Sequence, residues 1–278
     1  MELITIILAA LLGGVGTGGV VVDTLAEAAL RNQVAGAESL QVRIDNVPSY
    51  QLINGRIEHT RVAARGVESR QLPGLRIDSI DIETDPVDVD LGRLQQGELV
   101  LDEPAQAALR LRLRDDDLNA FLQSPLVQGW LDTLQFNLPG AVGDREQNRY
   151  GLANPSLEFL EGDRFRVVVD LQDRVTQENT AIVIDLGLAI VNGHRFALVD
   201  PTITVNGEAT PPQLLEFFVR GAQDRLTLQR LETLGIIARI INFKVRDNEL
   251  DIAIFARIEP TSPFLRRQPA LEAVPPPP

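Results

Sequence analysis

The chain has no cysteine. Disulfides, thiolate metal sites and cysteine nucleophiles are therefore excluded. It has two histidines, His59 and His194, far apart and without a paired ligand spacing. A histidine-based metal site is not expected from them. Positive charge is also scarce: 26 Lys and Arg against 39 Asp and Glu give a formal net charge of −13, and Lys244 is the one lysine. That balance argues against nonspecific nucleic-acid binding, which runs on basic patches. Catalytic signatures are missing too. No serine sits in G-x-S-x-G, and there is no phosphate loop, H-E-x-x-H pair or EF-hand loop. The chain does not read as an enzyme, and its residues call for no cofactor. What is present is 278 residues, 44% of them hydrophobic and 23% charged. That is ample for a globular core, in one large domain or two small ones.

Much of the apolar content lies at the start. Leu3 to Val22 is an uncharged stretch bounded by Glu2 and Asp23. As a helix it would span about 30 Å, one hydrocarbon core. Four readings compete. Gly14, Gly16 and Gly19 match G-x-G-x-x-G, followed by a helical-looking Asp23–Ala35 and a strand ending at Asp45. That is the order of a dinucleotide fingerprint. However, strands rather than alternating helices follow Asp45. A cleaved signal peptide needs a positive n-region, and only Met1 and Glu2 precede the apolar run. A helix tucked into the protein's own core is the plainest reading. An uncleaved membrane anchor fits the length, the lack of charge and the small residues Gly14 and Gly18, spaced for helix packing.

Beyond Asp23, strands dominate. Leu40, Val42 and Ile44 alternate with Gln41, Arg43 and Asp45. Leu75 and Ile77, then Ile80 and Ile82, alternate around a phase slip at Asp78–Ser79 that predicts a bulge. Leu109, Leu111 and Leu113 alternate with Arg110, Arg112 and Arg114, a clean half-buried strand. Phe165 to Leu171 and Ile182 to Ile190 alternate likewise, with turn signals at Asn192-Gly193 and Asn206-Gly207. Two last strands lie near Ile240–Val245 and Leu250–Ile258.

Two amphipathic helical segments interrupt them, 115–134 and 210–231. The first opens on Asp115–Asp117, acids suited to a helix start. The second opens on Thr210-Pro211 and is expected to run to about Leu231. Residues 139–150 lack an apolar period and read as a loop. The expected fold is α+β and β-rich: long curved antiparallel sheets wrapping a few amphipathic helices, after an N-terminal hydrophobic helix. The expected organisation is a membrane anchor or signal segment at 1–22, then a β-rich domain at 23–259. That domain has two loosely similar halves, about 23–138 and 150–259, and a disordered proline-rich tail follows at 260–278.

The segments AEAALRNQVAGAESLQVRIDNVPSYQLINGRIEHTRVAARGV (26–67), LRIDSIDIETDPVDVDLGRLQQGE (75–98), LRDDDLNAFLQSP (113–125) and the stretch 200–240 resemble the LmeA-type phospholipid-binding proteins, especially cyanobacterial members. The resemblance implies an extracytoplasmic or membrane-associated protein that binds phospholipid. It also implies an elongated β-rich fold similar to tubular lipid-binding domains. It carries no catalytic residues.

A lipid or another acyl ligand is thus the expected partner, together with a membrane, and transfer is a second possible use of the same groove. The side chains expected to line the groove are Phe121, Leu122, Trp130, Leu215, Phe218, Val219 and Leu226. Arg110, Arg112 and Arg114 are candidates for a phosphate headgroup. The competing role is a scaffold subunit of a membrane complex with a filled core.

Overall fold

A computed structural model of the chain describes residues 34–46, 54–94, 100–133, 149–211, 226–246 and 248–263, with Glu27, Leu30, Arg31, Gln51, Leu215, Glu216, Val219 and Leu265. Strands make up most of it, and every pairing between them is antiparallel. They are β1 (Ser39–Asp45), β2 (Arg56–Ile57), β3 (His59–Glu68), β4 (Arg76–Thr84), β5 (Val87–Asp88), β6 (Ala105–Arg114), β7 (Tyr150–Leu160), β8 (Arg164–Asp173), β9 (Asn179–Val191), β10 (Arg195–Val205), β11 (Glu208–Ala209), β12 (Ile236–Arg246) and β13 (Glu249–Ile258). A six-stranded sheet has the order β1-β3-β4-β6-β13-β12, and a five-stranded sheet the order β11-β10-β9-β8-β7. β2 and β5 form a small separate pair. The two sequence halves do not each keep to one sheet. The hairpin β12–β13 leaves the second half and completes the sheet begun by the first.

Local chemistry explains the turns. Asn192 and Gly193 both take positive φ, at 54° and 69°. That pair of conformations is what a tight hairpin turn between twisted strands requires. The bulge expected at Asp78–Ser79 is not there. Ser79 and Ile80 are both buried, so the phase does slip. Yet the pairing with β3 keeps one offset from Thr60↔Thr84 to Glu68↔Arg76, with Gly66 and Asp78 alone left out of the ladder. The slip is mirrored directly opposite, where Gly66 takes φ +57° and Val67 is buried beside it. Both strands change face together, so neither needs an extra residue.

The 115–134 segment forms two helices, α1 (Asp115–Leu122) and α2 (Pro125–Thr133). Pro125 cannot continue α1 and instead opens α2. The second predicted helix is shorter than expected. Leu215, Glu216 and Val219 are helical, but Leu226 to Leu228 are not. The Phe196 N–H donates to the Leu226 carbonyl and the Leu228 N–H to the His194 carbonyl, so this stretch lies along the end of β10. Residues Gln229–Leu234 then form a 3-10 turn. The first residues of the tail expected from Pro260 pack against the body of the protein. The Ser262 hydroxyl donates to the Leu234 carbonyl, and Leu265 is buried with Ile236 and Ile258. Residues 266–278, Leu3–Val22 and nearly all of the 139–150 loop lie outside the described residues. Among those described, no helix is long and apolar enough to cross a membrane.

The two sheets meet at β12, an edge strand of the larger one. Phe243 on β12 packs against Phe165 of β8, ring centroids 6.1 Å apart, and Phe196 of β10, 5.5 Å away. Phe159 of β7 stacks edge-on against Phe165 at 5.5 Å. The free edge of β12 is covered by turns of the smaller sheet. Its Ile240 N–H donates to the Gly193 carbonyl at 2.6 Å, and its Val245 N–H to the Asp163 carboxylate at 2.8 Å. Edge donors that would otherwise recruit another strand are thereby used up.

Two outcomes follow for stability. Truncating Phe243 to Ala removes the ring shared by both sheets and should cost about 3–5 kcal/mol, read from the urea midpoint; Phe243→Leu should cost clearly less. The second concerns acid. Asp173, at the end of β8, is held at a pKa of about 2 by the Arg149 guanidinium, against burial, and by the Val175 and Thr176 N–H groups. An unfolded aspartate titrates at roughly 4. The contribution of this group is therefore complete above about pH 4 and is lost as pH falls toward 2. Asp173→Asn should flatten the fall in stability over that interval, measured as urea midpoint against pH.

Candidate functional site

The alternation of leucine and arginine in β6 gives the larger sheet two unlike faces. On the inner face Leu109 lies between Ile82 of β4 and Ile254 of β13, and Leu111 between Ile80 and Ile252. The rows continue to Val62 and Ala64 on one side and to Ile240 and Phe243 on the other. The flanks of these rows are buried: Val62, Ile80 and Ile82 in one cluster, Ile240, Phe243 and Val245 in another. The middle is not. Leu109, Leu111, Leu113, Ile252 and Ile254 are only half-buried, although β6 and β13 are interior strands. Interior strands are where cover should be most complete. These half-buried side chains form an apolar seam down the centre of the sheet, Leu109, Leu111 and Leu113 packing against one closed cluster and Leu113, Ile252 and Ile254 against the other. The smaller sheet has a matching property. Val167, Ile182, Ile184, Leu198, Ile203 and Val205 share the face of Phe165 and Leu186 and are all half-buried.

Helix α1 spans from the larger sheet to β7. Its Asn119 side chain accepts from the Leu157 N–H and donates to the Leu157 carbonyl, both at 2.7 Å. Gln123 donates to the Pro155 carbonyl at 2.6 Å. Together they take the place of a strand partner at the irregularity in β7, where Asn154 has φ +52°. Leu118 enters the aromatic core beneath. At the start of α1, Asp117 pairs with Arg76 at 2.8 Å rather than standing free as a cation ligand.

The predicted lining residues are placed differently from one another. Phe121 and Leu122 are half-buried on α1. Leu215 and Val219 are half-buried and helical, and Phe218 lies outside the described residues. Leu226 is half-buried in the extended stretch beside β10, not on a helix face. Trp130 on α2 is 59% exposed. The seam residues of β6 and β13 were legible as alternating strands but not as a groove. Asn119 carried no signal, because a lone polar residue in an apolar helix face has many ordinary uses.

The outer face is an ion-pair lattice. Arg65 pairs with Asp81 and Arg61 with Glu83, so the acid-rich 78–90 stretch is a wet strand face rather than a cation loop. Arg110 grips Asp251 with two bonds, 2.9 and 2.6 Å, and that grip holds the Asp251 carboxyl below the usual carboxylate range. Burial alone would push Asp163 up. The Val245 N–H and the Lys244 ammonium outweigh it, and its pKa is lowered. Arg110 and Arg112 line a cleft of about 390 Å³ with Asn242, Lys244, Arg246, Glu249 and Asp251. Arg114 is not part of that lining; it stands 4.0 Å from Asp116. Among the described residues no group of three metal-ligating side chains gathers.

This fold, β-rich with a half-open apolar seam and ion pairs on its outer face, defines a protein suited to hold an apolar ligand. A sequence model described as LmeA-like phospholipid-binding matches residues 14–255, and the chain belongs to that family. The match begins at Gly14, within the apolar stretch rather than beyond it. No curated protein and no solved structure matches the chain.

The α1 clamp yields a stability test. Asn119→Ala leaves the Leu157 N–H and carbonyl without their partner and should cost about 1–3 kcal/mol. Asn119→Asp keeps the acceptor but loses the donor, and its urea midpoint should fall between those of wild type and Asn119→Ala.

Proposed function

We propose that this protein binds a phospholipid, or a similar acyl lipid, along the β6–β13 seam, and that it does so without catalysis. Family membership supports the ligand class. The observation that carries the location is the half-burial of Leu109, Leu111, Ile252 and Ile254 on interior strands. Each methylene buried there is worth about 0.8 kcal/mol, so an acyl chain needs no polar chemistry to bind. Phe121 and Leu122 on α1 extend the same lining, with Leu215 and Val219 as further wall residues. Leu3–Val22 would hold the protein at a membrane, on its extracytoplasmic side, and place the seam within reach of lipid. Carriage of lipid between membranes is the use that a half-open seam allows and a sealed cavity would not.

The experiment is lipid extraction and native mass spectrometry of the full chain purified from a membrane fraction, followed by uptake of a fluorescent phospholipid. Co-purifying phospholipid and saturable uptake are expected. Recovery free of lipid together with no uptake would overturn the reading in favour of a closed core. Substitution separates the two directly. Val62→Ala, in the closed cluster, should destabilise by about 1–3 kcal/mol and leave uptake intact. Leu111→Ala, in the seam, should weaken uptake by more than its loss of stability accounts for, with the Val62→Ala variant as the reference for that loss.

A further inference from the structure

The seam leaves the outer face of the same sheet unaccounted for. There the strands β6, β12 and β13 carry Arg110, Arg112, Lys244 and Arg246 around one cleft of about 390 Å³. Glu249 and Asp251 are the acids in that lining, so the cleft keeps a local surplus of positive charge in a chain of net charge −13. The cations are not equally committed. Arg110 is held by Asp251 on both of its donors. Lys244 is 2.9 Å from Asp163. Arg112 has its Nε buried without a hydrogen-bond partner, with Glu249 Oε1 at 3.6 Å. Arg246 forms no ion pair with a described residue, and its charge is felt at Asp163 and Asp251. A second cleft of about 540 Å³ shares Lys244 and Arg246 and reaches Gly162 and Asp163 at the β7–β8 turn. Lys244 and Arg246 therefore stand at the junction of two hollows, over the edge of β12.

We propose that this cleft is a binding site for a phosphate group, with Arg246 as its principal donor, Lys244 and Arg112 beside it, and Arg110 as a wall fixed by Asp251. A single carboxylate is satisfied by one guanidinium. Several cations converging from three adjacent strands suit an anion with three or more acceptor oxygens.

The site is distinct from the acyl seam. Arg110 and Arg112 alternate with Leu109, Leu111 and Leu113, so the sheet itself stands between the two. A lipid lying in the seam cannot place its own phosphate here through the sheet. The phosphate belongs to a second molecule, either a bilayer lipid headgroup against the outer face or a free phosphate-bearing solute.

The test uses the full chain, wild type and Lys244→Gln/Arg246→Gln, with Arg61→Gln as the surface-charge control on the same face. One arm titrates inorganic phosphate at constant ionic strength and follows the thermal midpoint. The other measures co-sedimentation with phosphatidylcholine vesicles with and without phosphatidic acid. A response in the first arm identifies free phosphate, and a response in the second alone identifies a headgroup. Either supports the site if the double variant weakens it by about tenfold or more and Arg61→Gln does not. No response in either arm, or one that the double variant leaves unchanged, overturns it. Should the double variant fail to fold, Arg246→Gln alone breaks no ion pair and serves the same comparison. Fluorescent phospholipid uptake is read on the same samples. It should match wild type in every variant, so loss of the phosphate site and failure of the acyl-lipid reading give different results.

Discussion

The joint between the two sheets is the constraint on which the rest depends. It is made at one edge strand. Phe243 of β12 sits among Phe165 and Phe196, and the N–H groups of Ile240 and Val245 are taken by Gly193 and Asp163 from two turns of the smaller sheet. Aromatic packing of this kind is strong for its size and specific in angle. The joint closes a core at that edge, to which β13 contributes the buried Leu250, while Leu113 of β6 and Ile252 and Ile254 of β13 pack against it half-buried. Helix α1 supplies the second tie, through Asn119 and Gln123 on β7. Both ties serve one core, because Leu118 of α1 packs on the cluster that holds Phe243.

The sheet that forms the wall is itself divided by the simplest period in protein structure. Leucine and arginine alternate along β6, isoleucine and acid or alanine along β13, and each register pair repeats the division on the neighbouring strand. The inner side becomes continuous hydrocarbon, and the outer side becomes a lattice of ion pairs. Exposed pairs of this sort add little stability one by one. Their effect here is positional: they fix which face of each strand is wet, because a one-residue slip would bury arginine and expose leucine.

Much of this was legible in the sequence. Alternation over 107–114, 165–171, 182–190 and 250–258 predicts the strands, and Asn-Gly pairs predict two of the turns. Pro125 predicts the break between α1 and α2. The failures have physical causes. The slip at Ser79 reads as a bulge from one strand alone, and only the partner shows Gly66 compensating it. The 226–231 stretch keeps a helical apolar period, but its backbone finds partners on β10 instead. The cationic cleft draws on three strands distant in sequence, so Arg114, adjacent in the chain, looked eligible while Lys244 and Arg246 did not. Family likeness was visible in the residues, and the ligand class came from it rather than from any motif of chemistry.

A half-covered apolar seam on interior strands has a thermodynamic consequence. Hydrocarbon left partly in water is burial not yet used, at roughly 25 cal/mol for each Å². A ligand that covers it adds to stability by mass action, in proportion to the logarithm of its concentration over its dissociation constant. Lipid in the seam would then behave as a removable part of the core. Contacts that sealed Leu109 to Ile254 and Leu111 to Ile252 from above would stabilise the empty protein and exclude the ligand in the same step. The half-burial of those residues and the tightness of the flanking clusters are thus one design feature, seen from its two sides.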